Sequence, residues 1–149
     1  MDNMTALPAS VPHPGAVESR CWRVDTFRDL RHLRAALRSA LAEFSSPGYG
    51  DLIDRMMVVA TELATNALRH GLPPAEVRLL QASDRLVIDV ADHDPEAEPR
   101  LDLNRPAGLG GMGLVLARTF AVEVGWYRAV ETKHVWASFQ PDTRQDHGT

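Results

Sequence analysis

Two side chains that can do chemistry lie one helical turn apart in the segment TELATNALRHG, residues 61–71. Glu62 offers a carboxylate and Asn66 an amide oxygen, and residues four apart share one side of a helix. An amide oxygen is a hard ligand that suits Mg²⁺, while a carboxylate can act as a general base or orient a water molecule. The same spacing also fits the solvated side of an ordinary amphipathic helix. The neighbouring elements have to decide between these two interpretations.

A second acid, Asp92, ends the apolar run LVIDVAD. Alternation with a period of two puts the apolar residues from Leu86 to Val90 on one face of a strand, and Asp92 continues that face. A carboxylate there needs a partner, because an unpaired buried charge is costly. Asp92 is therefore either a turn residue that begins the next loop or an acceptor for a ligand amino group at the mouth of a pocket. Asp89 lies on the opposite face and is predicted to be solvated.

A glycine-rich stretch, AGLGGMGL, supplies a third kind of site. It formally matches G-x-G-x-x-G, but a dinucleotide-binding fingerprint follows a strand directly and has an acid about 20 residues later. Here a proline-bearing loop precedes the stretch, and position 133 is Lys133. The stretch leads into a predicted helix at about Met112, where backbone N–H groups and the helix dipole suit phosphate. A plain flexible connector is the alternative, and the sequence contains no P-loop motif.

The hydrophobic pattern predicts the scaffold that positions these residues. Apolar residues at spacings of three and four predict an amphipathic helix in DTFRDLRHLRAALRSALAEF, capped by Asp25 or Thr26. A second helix is predicted from about Asp51 to His70, closed by Gly71 where helices favour glycine. Strands are predicted at CWRV, AEVRLLQ, RLVIDVAD, VEVGWYR and KHVWASFQ, and a third helix at MGLVLARTFA. The order predicts an α+β fold, a two-layer sandwich of about three helices over a mostly antiparallel sheet.

Composition limits the classes of function. The 149 residues carry a net charge of -4, with 44% hydrophobic and 24% charged residues, which is typical of one soluble domain with a core. The 16 Lys and Arg residues are spread along the chain, so no direct binding of nucleic acid is predicted. Cys21 is the only cysteine, which excludes a disulfide framework and favours a cytoplasmic setting.

No secretory signal is recognised at the N-terminus, and no apolar run approaches the roughly 20 residues of a membrane span, so no membrane association is predicted. Residues 1–19 and 141–149 are polar or rich in proline and are predicted to be flexible tails. A single domain is predicted between them, at residues 20–140.

Three features follow one another in the order of a known family's motifs. They are the residues Glu62 and Asn66 on one helix, the aspartate Asp92 at the end of a strand, and the glycine-rich stretch. ELATNALRHG resembles the N box of the Bergerat-fold (GHKL) ATP-binding domains, VADHDP resembles their first glycine box, and GLGGMGL resembles their second. The short chain and HVWASF in the final strand are similar to the anti-sigma-factor serine kinases, the RsbW-like branch. The resemblance covers roughly residues 20 to 140.

This resemblance implies a role for each candidate residue. Asn66 would coordinate a Mg²⁺ ion that bridges the ATP phosphates, and Glu62 would be the general base. Asp92 would accept a hydrogen bond from the adenine amino group, and the segment from His93 to about Gly110 would be the ATP lid. The ATP-binding residues of the second box, with the phosphate-side turn at its end, would be Gly108, Gly110, Gly111, Met112, Gly113 and Leu114.

The implied activity is phosphorylation of a serine on a small anti-sigma-factor antagonist by ATP and Mg²⁺. A sigma factor would be the second, sequestered partner, and a homodimer is the common assembly of the family. Asp94 and Pro95 depart from this pattern, because they stand where the usual D-x-G-x-G box has glycines and proline cannot adopt a positive φ. This departure favours an alternative function, a sequestering module without kinase activity. A third alternative is a histidine-kinase-type ATPase that acts on a separate phosphoacceptor.

Two histidines are also compared with the family. His70 and the following glycine match the family motif, and His70 is predicted to be structural at the end of its helix. His134 stands in the last strand where many relatives carry a small hydroxyl residue near the phosphate-side pocket.

Overall fold

The predicted helices and strands form in the predicted order. The structure, a computed structural model, describes residues 7–44, 50–82, 84–99 and 117–140. Residues 117–120 are helical and belong to the predicted third helix. The other elements in the described ranges are β1 (Val17–Val24), α1 (Asp29–Ala42), α2 (Gly50–His70), β2 (Ala75–Ala82), β3 (Arg85–Asp92), β4 (Glu123–Arg128) and β5 (Lys133–Phe139).

The five strands form one sheet in the order β1-β2-β3-β5-β4, in which every neighbouring pair is antiparallel. β3 is the central strand, and α2 packs on β2 and β3, while α1 packs against α2 and β1. The helices cover one face of the sheet, which confirms the predicted two-layer α+β sandwich. The strand that ends in Asp92 is thus at the centre of the sheet, beneath the helix that carries Glu62 and Asn66.

The apolar arc predicted for α2 is the part of the helix that enters the core. Every member of the arc is buried. These residues are Met56, Ala60, Leu63, Ala64 and Ala67. Each buried side chain of this size contributes up to about 1.5–3 kcal/mol when fully removed from water, less for alanine. Packing of this arc on the sheet therefore fixes the rotation of α2 about its own axis, and with it the position of the polar strip.

The N-terminal part of the chain is more ordered than the sequence predicted. β1 begins at Val17, inside the stretch expected to be a tail, because its pairing with β2 orders residues whose side chains are largely exposed. Leu7 is buried in the core, at 5% exposure. The backbone of Ser10 donates to the carbonyl of Trp126 at 2.9 Å, and the N–H of Trp126 donates to the carbonyl of Pro8 at 3.1 Å. A short segment before β1 thus lies along the outer edge of β4.

The start of α1 corrects the predicted cap. Neither Asp25 nor Thr26 caps the helix through its side chain. Instead the carboxylate of Asp29, the first residue of α1, accepts the backbone N–H groups of Asp25 at 2.9 Å and Thr26 at 3.0 Å. These hydrogen bonds, that of Thr26 first, lower the pKa of Asp29. The carboxylate of Asp29 therefore holds the incoming chain against the start of α1. The sequence pattern had assigned the capping role to Asp25 or Thr26, the two residues that Asp29 binds.

Candidate functional site

The strip on α2 has the predicted arrangement. Glu62 and Asn66 lie one turn apart, and both are partly buried at the border of the apolar arc. The helix ends at His70, and the N–H of Gly71 donates to the carbonyl of Ala67 at 3.0 Å. Asn66 is therefore one turn from the point where the chain leaves the helix and meets the end of β3. The roles of Glu62 and Asn66 stay predictions, because geometry alone does not assign them.

Asp92 lies at the end of β3 with its side chain in the interior, at 4% exposure. Its Oδ1 accepts the backbone N–H of Asp94 at 2.8 Å, which closes a turn around the side chain. The predicted turn role is thus filled by one oxygen. The second oxygen, Oδ2, faces Lys133. The acceptor role of Asp92 toward a ligand stays a prediction.

Lys133 is a site residue that the sequence did not reveal. As the first residue of β5, it pairs in register with Asp92, and its Nζ lies 3.5 Å from Asp92 Oδ2. Both side chains are almost fully buried, at 7% and 6% exposure. Lysine is rarely buried unless it is paired. The signal that could have found it is the alternation of KHVWASF, which puts the lysine on the face of the partly buried Val135 and the buried Ala137.

Burial controls the charge of Asp92. Desolvation raises the pKa of its carboxyl group above the ordinary value, and it is the largest influence. The hydrogen bond from Asp94 and the positive charge of Lys133 act in the opposite direction. The ionised form of Asp92 is therefore maintained against burial by two specific contacts, of which only Lys133 carries a full charge.

Gly71 is required at the end of α2 for a reason other than the predicted one. Its backbone is outside the left-handed region in which helix-ending glycines are favoured. A Cβ atom added to Gly71 would overlap the Cγ and Oδ2 atoms of Asp92, and it would lie 2.8 Å from the carbonyl oxygen of Ala67. The glycine therefore lets the Asp92 carboxylate approach the helix end, where a side chain would displace it.

The segment after Asp92 folds although Asp94 and Pro95 replace the expected glycines. Asp94 Oδ1 accepts the N–H of Glu96 at 3.3 Å, and the Nε of Arg128 donates to the carbonyl of Pro95 at 2.7 Å. No residue other than glycine has a positive φ in the part of the chain that the structure describes. The turn needs no left-handed residue, so aspartate and proline fit it without backbone strain.

A second anchor ties this segment to the chain that follows α2. The N–H of His93 donates to the carbonyl of Leu72 at 2.8 Å, and its Nδ1 lies 2.9 Å from the carbonyl oxygen of Pro74. The residues on either side of Asp92 are thus held against the end of α2. The ring of His93 therefore serves a structural contact.

The opposite face of the sheet contradicts one expectation. Asp89 is fully buried, where solvation was predicted. It accepts hydrogen bonds from Tyr127 OH at 3.1 Å and His134 Nδ1 at 2.8 Å, and Arg78 Nη2 lies 3.2 Å away. The rings of Tyr127 and His134 stack at 4.5 Å. His134 therefore lies on the face of the sheet opposite Asp92 and Lys133.

Burial also affects the partners of Asp89. It raises the pKa of Tyr127 to about 12, with the negative charge of Asp89 as the next cause. Desolvation alone would lower the pKa of Arg78, but the charge and hydrogen bond of Asp89 outweigh it and raise that pKa. The sequence missed this network because its members come from four different strands and only the register brings them together.

The glycine-rich turn is outside the described ranges, as are residues 100–116 in general. The predicted ATP-binding roles of Gly108, Gly110, Gly111, Met112, Gly113 and Leu114 therefore stay predictions. The predicted lid is described only up to residue 99. Among the residues that the structure describes, no helix is long and apolar enough to cross a membrane.

Comparisons with known proteins agree with this architecture. The model of a family described as a histidine kinase-like ATPase domain matches residues 25–139. Among solved structures, the crystal structure of the RsbU and RsbW domains of a Mycobacterium tuberculosis protein superposes with a TM-score of 0.60. That match has 19% sequence identity and covers 83% of this chain but 33% of the solved one, so it speaks for the fold alone. A search among curated proteins gives no match.

Proposed function

Because the chain belongs to the histidine kinase-like ATPase family, we propose that it is a Mg²⁺-dependent ATP-binding serine kinase of the anti-sigma-factor type. Its substrate would be a serine on a small anti-sigma-factor antagonist, and it would also sequester a sigma factor. The family match and the fold of the RsbW-containing structure support this proposal. The solved chain is about three times as long as the matched part, so the partners of that protein are not carried over directly.

The observation that carries the proposal is the half-satisfied carboxylate of Asp92. Oδ1 accepts the N–H of Asp94, while the charged partner of Oδ2 among the described residues is Lys133, at 3.5 Å. An ionised carboxylate with a free lone pair is a strong acceptor, and the adenine amino group is a donor of matching chemistry. Gly71 supports the same interpretation, because its missing side chain lets the Asp92 carboxylate approach the end of α2. The residues present therefore fit a purine that carries an amino group.

The roles of α2 follow from its fixed rotation. Asn66 would offer its amide oxygen to the Mg²⁺ that accompanies the nucleotide, which supplies charge neutralisation at the phosphates. Glu62, one turn earlier and also partly buried, would accept the proton of the incoming serine hydroxyl. Most of the rate in such transfers comes from positioning and charge neutralisation rather than from covalent chemistry. A rigid helix packed on the sheet is suited to this positioning.

The sequestering alternative rested on Asp94 and Pro95. Because this segment is anchored by Arg128 and by turn hydrogen bonds without a left-handed residue, the main reason for expecting a damaged base site is weakened. The alternative is still distinguishable by experiment. A protein that binds Mg·ATP but transfers no phosphate to any antagonist protein would be a sequestering module.

Glu62→Gln is the direct test of the kinase proposal. We expect it to bind Mg·ATP as tightly as the parent, because a carboxylate beside phosphates adds repulsion rather than attraction. Single-turnover transfer to an antagonist should be slower by about 10²–10⁴-fold, the usual range for general-base assistance. Glu43→Gln, at an exposed acid that closes α1, is the matched control and should transfer normally. Equal transfer rates in Glu62→Gln and the parent would rule Glu62 out as the base.

A second variant separates metal binding from catalysis. Asn66→Ala should weaken Mg²⁺-dependent nucleotide binding by about 1–3 kcal/mol, the value of a hydrogen bond or contact to a charged group. Calorimetric titration with ATP in the presence and absence of Mg²⁺ measures this. Unchanged affinity with Mg²⁺ present would remove Asn66 from the metal site.

A further inference from the structure

We propose that Lys133 is the positioning residue of the base site: it keeps the buried Asp92 ionised, so that Oδ2 accepts a hydrogen bond from the base instead of donating one. This inference rests on the proposed function, because Asp92 is taken to bind the adenine amino group. It concerns a residue outside the sequence motifs that identified the site.

The register of the sheet places Lys133 directly beside Asp92. Asp92 ends β3 and Lys133 begins β5, and the two residues are direct partners in the antiparallel ladder. Side chains of directly opposed residues lie on the same face, with Cβ atoms about 4.5–5.5 Å apart. A lysine stem is long enough to reach solvent in most such positions, yet this side chain stays 7% exposed. Its ammonium group therefore remains beside the carboxylate.

The contact between Lys133 and Asp92 is longer than a direct hydrogen bond. Such a bond between an ammonium group and a carboxylate is about 2.7–2.9 Å long. The Nζ of Lys133 is 3.5 Å from Oδ2, which supplies electrostatic attraction without saturating that oxygen. Oδ1 already accepts the N–H of Asp94 at 2.8 Å. Among the contacts of the described residues, Oδ2 therefore has the weaker one, and we assign it to the base.

This asymmetry determines what a proton on Asp92 would do. Because Oδ1 accepts a backbone N–H, a neutral carboxyl group would carry its proton on Oδ2. Oδ2 would then be a donor and would face the amino group of adenine, which is also a donor. Recognition therefore requires the ionised form, although burial favours the neutral one.

The surroundings show that Lys133 is the cation able to maintain that charge. Lys133 from β5 and Asp94 from the following turn are the charged groups that act on Asp92, and Asp94 opposes ionisation. The end of α2 contributes the uncharged Gly71. Arg128 of β4 pairs with Lys133 on its other side, but its guanidinium is bound to the carbonyl of Pro95. Without Lys133, desolvation would be opposed only by the N–H of Asp94.

The test compares Lys133→Met with Lys133→Arg in the full-length protein. Methionine keeps most of the stem and removes the charge, whereas arginine keeps the charge. In the nucleotide-free proteins, the ¹³C signal of the Asp92 carboxyl carbon is followed against pH. We expect the titration to move to higher pH in Lys133→Met and to stay near that of the parent in Lys133→Arg. Urea denaturation confirms that each variant is folded.

Binding then connects the charge to the base. ATP is compared with purine riboside triphosphate, which lacks the amino group. The parent should prefer ATP by roughly 10- to 100-fold, the value of one hydrogen bond to a charged acceptor. Lys133→Met should lose this preference at neutral pH and recover it at higher pH, where Asp92 ionises. Lys133→Arg should retain it at both pH values.

The two proposals fail in different ways. An Asp92 titration that is the same in Lys133→Met and the parent, in a protein that binds ATP, would overturn the role of Lys133 alone. A parent that binds neither triphosphate would overturn the ATP-binding function, and the base-recognition role with it. A shifted titration together with an unchanged preference for ATP would also overturn the role, because ionisation would then not control recognition.

Discussion

Strand β3 carries two buried aspartates three residues apart, and the two differ in how completely they are satisfied. Asp89 has 0% exposure and three side chains around it, from β2, β4 and β5. Asp92 has 4% exposure, one backbone N–H on Oδ1 and one lysine at 3.5 Å from Oδ2. They face opposite sides of the same sheet. On the side away from α1 and α2, three side chains surround the acid, while beneath α2 the described residues give the acid one hydrogen bond and one longer ion pair.

This difference teaches how to separate a structural acid from a functional one. A buried carboxylate whose acceptor sites are all used adds order to the fold but has nothing to offer a ligand. A buried carboxylate with an open lone pair retains part of its desolvation cost, which a ligand donor can relieve. Burial alone therefore does not identify a site, and the count of partners does.

The largest effect is expected on the side of the sheet where three side chains surround Asp89. Asp89→Asn removes the charge that Arg78 and His134 surround, and breaking a buried pair by removing one partner is strongly destabilising. We expect the free energy of unfolding to fall by about 3 kcal/mol, the lower end of that range, because Arg78 is partly exposed. Asp92→Asn also leaves the buried Lys133 without its acid, but it breaks one contact of 3.5 Å instead of three shorter ones, so we expect a smaller loss. Urea denaturation of both variants measures this, and equal losses would contradict the comparison.

The next effect tests the approach of Asp92 to α2. In Gly71→Ala the new methyl group would overlap the Asp92 carboxylate, so either the helix end or the acid has to move. We expect a loss of about 1–2 kcal/mol in stability, as for other overpacked sites, together with weaker ATP binding. Gly50→Ala is the matched control, because a Cβ atom there has no neighbour within 4 Å. If both variants bind ATP alike, Gly71 does not position the acid.

The third effect depends on pH. The folded-state pKa of Asp92 is raised above its ordinary value of 3.8, chiefly by desolvation. The folded protein then holds this proton more tightly than the unfolded chain does. The contribution of Asp92 to stability is therefore complete below the unfolded pKa and is lost as the pH rises through the folded one. Relative to Asp92→Asn, the parent should lose stability as the pH is raised above the unfolded pKa, which urea denaturation at a series of pH values measures. A difference that does not change with pH would show that the carboxylate is not strained by burial.

The smallest effect is expected at a third charged residue of β3, Arg85, whose ion pair is exposed. Arg85, at the start of β3, lies 2.7 Å from Glu123 of β4, but the glutamate side chain is 61% exposed. Glu123→Gln should change the free energy of unfolding by less than about 0.5 kcal/mol, because exposed pairs are hydrated and screened by salt. A loss comparable to that of Asp89→Asn would mean that exposure does not separate these pairs.

Much of the scaffold could be predicted from local patterns. The period of two in RLVIDVAD and the apolar arc of α2 depend only on residues near one another in the chain, and both are confirmed. The same alternation correctly separated Asp89 from Asp92 by face. It could not show that the second face is covered, because Tyr127 and His134 reach it from strands about 40 residues later.

The site was predicted less completely for the same reason. Asn66 and Glu62 could be proposed from one helix, but Lys133 becomes a neighbour of Asp92 only when β5 is inserted next to β3. Gly71 was predicted to end α2, but for the wrong reason. The sequence shows a glycine at a helix end, but it does not show that Asp92 packs against this glycine. Residues of one helix could be proposed together from the sequence, whereas contacts made by strand register could not.

The order of strands has a consequence for how the chain is made. β3 is complete once residue 92 has left the ribosome, but β5, which pairs with it, begins at residue 133. Until that last stretch emerges, neither aspartate of β3 has its partner from β5, and the central strand presents an open edge. Residues 8–10 are made earlier than β3, yet their hydrogen-bond partners are Trp126 and Trp136, so they remain without these partners for a longer stretch of synthesis. Until β5 arrives, the nascent protein therefore carries two acids in its middle that lack their β5 partners, and a chaperone or a partner strand has access to an edge that the finished molecule has closed.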